Sequence, residues 1–200
     1  MVITDPVLLK GRDPVAVCRA AVQGGATMIQ VRWKDGAPAE VLELTRALVA
    51  ALPVPVLVND RADVALAAGA AGAHLGWDDP PIDSLRPHLP AGFLLGLSVG
   101  TLEEVEQAVS SSADYWSMGP CFATPSKRDA GPPLGPEGFA ALAGRAPEHT
   151  PVIGIGGITA RNAGEVIRAG AAGVAVIGAV LSAPEPETAA RTLREALWPS

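Results

Sequence analysis

Short apolar, β-branched segments alternate eight times with stretches of helical composition, and this rhythm limits the chain to very few folds. The spacing predicts strands at Val2–Thr4, Met28–Arg32, Val56–Asn59, Gly72–His74, Leu94–Ser98, Tyr115–Met118, Val152–Ile155 and Gly173–Ile177. Helices are expected near Pro14–Gln23, Pro38–Ala51, Arg61–Ala68, Ile82–His88, Leu102–Ser110, Pro136–Gly144, Ala160–Ala169 and Glu187–Trp198. Strands this continuously apolar belong to a parallel sheet covered by helices. Eight strand–helix units close a single (β/α)8 TIM barrel more naturally than they fill an open, doubly wound sheet. The 200 residues are near the lower limit for that barrel, and no linker-like stretch divides them, so one domain over 1–200 is expected.

Local signals agree with this parsing. Thr101, followed by Glu103 and Glu104, and Thr159 read as helix starts, and proline sits early at Pro38 and Pro136. Gly24-Gly25-Ala26, Gly69-Ala70-Ala71-Gly72 and Gly170-Ala171-Ala172-Gly173 fall between a helix and the next strand, where glycine tolerates the left-handed C′ conformation.

Composition narrows function. A formal net charge of −6 with no basic stripe argues against nucleic-acid binding, though not against a small anionic ligand. No apolar run reaches the roughly 20 residues that span a bilayer, so no membrane partner is expected. The first residues carry no basic-then-apolar leader pattern, and the 2 cysteines, Cys18 and Cys121, are far apart. A cytoplasmic enzyme without a disulfide is expected.

In a parallel α/β fold, chemistry collects where strands end. After the second strand, alternation points Gln30, Arg32 and Lys34 to one side, which suits a polyanion; solvated surface charge is the alternative. Asp60 and Asp79 follow two adjacent strands. They read either as two carboxylates for one divalent cation or as helix caps. Ser98 ends the fifth strand and suits a phosphate donor or a cap. The sixth strand runs into a long loop with Thr124, Ser126 and Lys127, a length that favours binding. Gly156-Gly157 and Gly178 follow the last two strands, where many barrels bind phosphate through backbone N–H groups. Cys121 reads as packing rather than a nucleophile, because no base follows it. His74 reads as a satisfied core histidine. Trp33 and Trp77 either wall the site or pack in the shell.

The set Gln30-x-Arg32-x-Lys34, Asn59-Asp60, His74-Leu75-Gly76-x-x-Asp79, Gly96-x-Ser98, Gly119-Pro120-x-Phe122-x-Thr124-x-Ser126-Lys127-x-Asp129 and Ile155-Gly156-Gly157-Ile158 resembles the thiamine-phosphate synthase family, from about Val2 to Leu181. The resemblance implies a transferase that joins hydroxymethylpyrimidine diphosphate to a thiazole phosphate, carboxylated or not. Thiamine phosphate and pyrophosphate are released, with carbon dioxide from the carboxylated thiazole. It implies that Gln30, Arg32, Lys34, Asn59, Ser98 and Lys127 hold the pyrimidine diphosphate, and that Asp60 and Asp79 hold Mg²⁺. Thr124 and Ser126, with the backbone of Gly157, Ile177 and Gly178, are implied to hold the thiazole phosphate. Arg32, Lys34, Lys127 and Ser98 form the implied catalytic set. A homodimer is compatible with this reading.

The family usually has Gln at Trp77, Thr at Ser126 and Ser at Gly178. A related thiazole tautomerase resembles the chain at Asn59-Asp60-Arg61-x-Asp63-Val64-Ala65-Leu66, but it relies on a histidine where Gly100 stands. A non-catalytic phosphate-ligand barrel is the rival from another class.

Overall fold

The computed structural model describes residues 1–124 and 131–197. Ser126, Lys127 and Asp129, and Trp198 at the end of the last predicted helix, lie outside the described residues. Eight parallel strands run in sequence order: β1 Val2–Ile3, β2 Ile29–Val31, β3 Val56–Asn59, β4 Gly72–Leu75, β5 Leu94–Val99, β6 Tyr115–Met118, β7 Val152–Ile155 and β8 Gly173–Ala175. A parallel bridge between Val2 and Val176 joins the last strand to the first and closes the (β/α)8 barrel. The doubly wound alternative is thereby excluded.

The helices between strands are α2 Pro14–Gln23, α3 Pro38–Ala51, α4 Ala62–Ala68, α5 Ile82–Leu85, α6 Leu102–Ala108, α7 Gly135–Ala143, α8 Ala163–Arg168 and α10 Pro186–Leu197. The fourth expected helix divides into α5 and a 3-10 turn at Arg86–His88, because Pro87 lacks the N–H an α-helix needs there. The seventh, expected from Ala160, starts later. Thr159 opens a turn whose backbone N–H donates to Asn162 Oδ1 at 2.8 Å, and the helix begins only at Ala163. Thr101 caps α6 as anticipated, accepting from the Glu104 N–H at 3.2 Å. Two four-residue helices were not expected from the periodicity, α1 Pro6–Leu9 after β1 and α9 Gly178–Leu181 after β8.

Strand alternation sorts side chains into two cores. One set, with Ile29, Val31, Val58, Leu95, Trp116 and Val174, packs outward against the helices as one continuous apolar cluster. The opposite set points into the barrel. It includes apolar Ile3 and Leu57, but also buried Gln30, His74, Tyr115 and Ser117. The interior therefore turns polar toward the C-terminal strand ends. No helix among the described residues is long and apolar enough to cross a membrane.

Candidate active site

The first half of the barrel mouth is built from charged side chains at the ends of β1 to β4. Thr4, just past β1, is 1% exposed and grips the strand beside it: its hydroxyl accepts from the Arg32 N–H at 2.9 Å and donates to the Arg32 carbonyl at 3.3 Å. Asp5 caps α1 by accepting from the N–H groups of Val7 and Leu8, and its other oxygen lies 3.5 Å from Arg32 Nη1. Arg32 is thus held by backbone and by charge, with its side chain only 16% exposed. Such a pair fixes a guanidinium that would otherwise sample many rotamers.

Asp60 adopts a left-handed backbone with φ of 64°, unusual for a residue with a Cβ, and its N–H donates to the His74 carbonyl at 2.8 Å. This turn aims the carboxylate at Asp79, itself fixed by the Gly76 N–H donating to Oδ2 at 2.7 Å. Burial raises the Asp60 carboxyl to about 6. The charge of Asp79 and a hydrogen bond from it add to the rise, while Lys34 and Arg32 oppose it. Arg32, Lys34, Asp60 and Asp79 are therefore one electrostatic group. Helix capping is not the role of either carboxylate: α4 and α5 begin at Arg61 and Pro81 caps with no side-chain cap bond.

Inside the mouth lies a polar chain. His74 Nδ1 is 2.9 Å from the Tyr115 hydroxyl, and Nε2 is 3.0 Å from Ser98 Oγ. The two rings stack with centroids 5.5 Å apart. Gln30, 2% exposed, turns its amide nitrogen toward Met1 Sδ at 3.6 Å. Burial lowers the imidazole to about 4, so it is neutral, and raises the phenol. Gly96 makes the contact possible, since a Cβ there would lie 2.2 Å from Tyr115 Cζ and 2.4 Å from His74 Nδ1. Asn59 pairs in register with His74, and His74 with Gly96, which keeps Asn59 beside this chain.

The other half of the mouth is made of backbone. Gly156 and Gly157 have φ of 92° and 64°. A Cβ on Gly156 would lie 2.7 Å from Pro120 Cα, and one on Gly157 would lie 2.5 Å from the Ala123 carbonyl. Glycine is needed there because the loop after β6 lies directly on the loop after β7, zipped by the Cys121 and Phe122 N–H groups donating to Ile155 and Gly156 carbonyls at 2.8 and 3.0 Å. That zipper sets Phe122 and Ala123 against Gly157, and Thr124 follows. Ile177 and Gly178 begin α9, whose opening N–H groups have no preceding turn to donate to. Gly178 has room for a side chain, the nearest atoms to a Cβ being 3.8 Å away, so a serine would fit.

Most predicted residues thus share one rim. Gln30, Arg32, Lys34, Asn59, Asp60, Asp79 and Ser98 gather on the β2–β5 side, and Thr124, Gly157, Ile177 and Gly178 end or follow β6–β8. Ser98 does not cap α6; it bonds His74. Cys121 is 1% exposed and burial raises its thiol to about 11, as expected of packing. Both cysteines are free. Trp33 packs over Gly36, whereas Trp77 is 40% exposed and belongs to no packed shell. Sequence reasoning missed Thr4, Asp5 and Tyr115. The Asp5-Pro6 pair is a helix-start signal, and Tyr115 shares the inward phase of its strand with Ser117.

Among the described residues, no group of three or more His, Cys, Asp and Glu gathers to hold a metal. Asp60 and Asp79 are the residues that would hold a hard cation there. Two carboxylates close enough to share a proton can exchange it for Mg²⁺, which takes few protein carboxylates and completes its shell with water and phosphate oxygens.

Position 100 is where the related tautomerase is expected to carry a histidine. A Cβ on Gly100 would lie 2.6 Å from the Gly119 carbonyl, so the backbone leaves no place for a histidine without rearrangement.

Comparison with known proteins follows the same line. Residues 1–180 match the model of a family described as thiamine monophosphate synthase. The thiamine-phosphate synthase of Roseiflexus castenholzii is 48% identical over 195 residues, covering 96% of this chain and 85% of that protein. That of Chloroflexus aurantiacus is 45% identical over 196 residues, covering 96% and 89%. The solved structure of a thiamine phosphate pyrophosphorylase from Pyrococcus furiosus superposes with a TM-score of 0.88 at 37% identity, covering 98% of this chain and 93% of that one.

Proposed function

The chain belongs to the thiamine monophosphate synthase family and is a transferase of that class, and on this premise we propose that its charged half-mouth binds hydroxymethylpyrimidine diphosphate while its glycine half-mouth binds a thiazole phosphate. The convergence of Arg32, Lys34, Asp60 and Asp79 into one electrostatic group supports this reading most strongly. A rim that mixes two cations with two carboxylates suits a metal-bound diphosphate better than a bare anion.

The chemistry follows from that division. The bond between the pyrimidine methylene carbon and the diphosphate oxygen breaks, and the thiazole nitrogen supplies the electron pair of the new bond. Negative charge grows on the departing pyrophosphate. Arg32, already oriented by Thr4 and Asp5, and Lys34 stabilise that charge without reorganising, and Lys127 would join them. Asp60 and Asp79 would hold Mg²⁺, which neutralises diphosphate oxygens when bound. Ser98 donates to the diphosphate, and Gln30 and Asn59 orient the pyrimidine. Thr124, Ser126 and the backbone at Gly157, Ile177 and Gly178 hold the thiazole phosphate. No side-chain nucleophile is needed, which accords with the inert, buried Cys121.

Incubation with both phosphorylated substrates and Mg²⁺, followed by oxidation to the fluorescent thiochrome, tests the reaction. Thiamine phosphate should form and should vanish with chelator. Metal-independent isomerisation of the carboxythiazole, without condensation, would instead indicate a tautomerase.

A further inference from the structure

The Arg12 guanidinium donates to main-chain carbonyls of two helices that come from opposite ends of the chain. At the end of α1, Nε reaches the Leu9 carbonyl at 3.1 Å and Nη2 reaches that of Leu8 at 3.3 Å. At the end of α9, Nη2 also donates to the Leu181 carbonyl, and Nη1 reaches that of Ala183 at 2.9 Å. Among the described residues no carboxylate pairs with Arg12. Local geometry aims the side chain. Lys10 and Gly11 both take left-handed backbone, with φ of 52° and 78°, so the chain reverses after α1, and the Arg12 N–H donates to the Leu9 carbonyl at 3.0 Å. The last carbonyls of a helix lack intrahelical donors and carry the negative end of its dipole. A half-buried guanidinium, with five N–H donors in a fixed fork, satisfies two such ends at once. A lysine ammonium is a compact point charge and has no such fork.

These bonds cross the seam where the barrel closes. A single bridge, Val2–Val176, joins β1 to the end of β8, whereas β4 and β5 pair over four residues. Helix α1 leads out of β1 and α9 follows β8, so the guanidinium spans the thin joint at the mouth. Each helix also begins at the rim. Asp5 caps α1 and lies 3.5 Å from Arg32, which ties α1 to the charged half. Gly178 opens α9, and a Cβ on it would lie 3.8 Å from Leu8 Cδ1, so the start of α9 rests beside α1.

We propose that Arg12 is a positioning residue: it fastens α9 to α1 across the seam and so sets where the thiazole phosphate sits relative to the pyrimidine diphosphate. This deepens the proposed function and rests on its division of the mouth. Arg12 acts through α9 and not by touching either substrate. Without its bonds α1 remains tied at Asp5, while α9 is free to shift, so the thiazole end loses its place. A shift of about 1 Å between reacting groups can cost on the order of a hundredfold in rate.

Arg12→Lys tests this, because it keeps a positive charge at the helix ends and removes the fork. Steady-state kinetics should show KM for the thiazole phosphate raised about tenfold and kcat lowered about tenfold, with KM for the pyrimidine diphosphate within about twofold of wild type. Hydrogen exchange reads the clasp without any substrate: amides of residues 177–183 should exchange about tenfold faster in the variant. Arg12→Met, which loses every donor, should move both readouts further in the same direction; if it fails to fold, the lysine variant still decides. Faster exchange with wild-type kinetics would leave Arg12 a purely structural role and overturn the proposal. An equal rise in both KM values, or unchanged exchange over 177–183, would overturn it too. Wild-type protein that forms no thiamine phosphate would instead overturn the proposed reaction, and with it the kinetic half of this inference; the exchange rates would still decide whether Arg12 fastens α9 to α1.

Discussion

In the proposed reaction the two halves of the mouth would recognise anions by opposite means. From β1 to β5 the candidate binding groups are side chains held in place by their neighbours: Arg32 by Thr4 and Asp5, Asp79 by the Gly76 N–H, Ser98 by His74. From β6 to β8 the surface is backbone, and glycine is there because the loops lie too close for a Cβ. On the proposed reading the first half handles charge that changes during reaction. The second half suits a phosphate that remains attached throughout. Charge can be neutralised, protonated or swapped one residue at a time, whereas a backbone cradle fails only when its shape fails.

That contrast is open to attack. The largest effect should come from the charged half: Asp60→Ala is expected to cut kcat about a hundredfold or more in a coupled turnover assay, as is Lys127→Ala. Gly157→Ala, at φ of 64° and 2.5 Å from the Ala123 carbonyl, should raise KM for the thiazole phosphate by about tenfold. It should leave KM for the pyrimidine within about twofold and lower stability in urea by about 1–3 kcal/mol. An equal rise for both substrates would erase the division between the halves.

A smaller effect concerns pH. Because the Asp60 carboxyl is raised in the folded protein, to about 6, the native state holds the extra proton and metal-free stability falls as pH rises through that range. Asp60→Asn should therefore stabilise the metal-free protein at pH 7 by about 1 kcal/mol, the shift being discounted for a half-exposed group. That gain should disappear near pH 4. Apparent Mg²⁺ affinity should weaken as pH drops below about 6, since the cation displaces the proton. The smallest effect is expected at Trp77, which is 40% exposed. Trp77→Gln should change kcat/KM less than about threefold.

How far the sequence could be read also differs between regions. The eight strands were legible because short apolar runs interrupted by helical periods have few other readings. Charged strand ends such as Arg32 and Asp79 were legible because they break an apolar pattern. Tyr115 was not, since its role depends on a gap at Gly96 on the neighbouring strand and on His74 beyond it, a relation across three strands that no local pattern encodes. That Asp60 does not cap α4 was equally closed to the sequence, because its left-handed backbone is a property of the folded chain. The helices α1 and α9, at four residues each, are too short to leave a period.

Calorimetric titration of pyrophosphate in the presence of Mg²⁺ isolates the central claim, that the leaving group is held by the charged half alone. Binding should weaken about tenfold or more in Arg32→Ala and Asp60→Ala and stay within about twofold of wild type in Gly157→Ala. Wild-type affinity in Arg32→Ala, or a matching loss in Gly157→Ala, would contradict it.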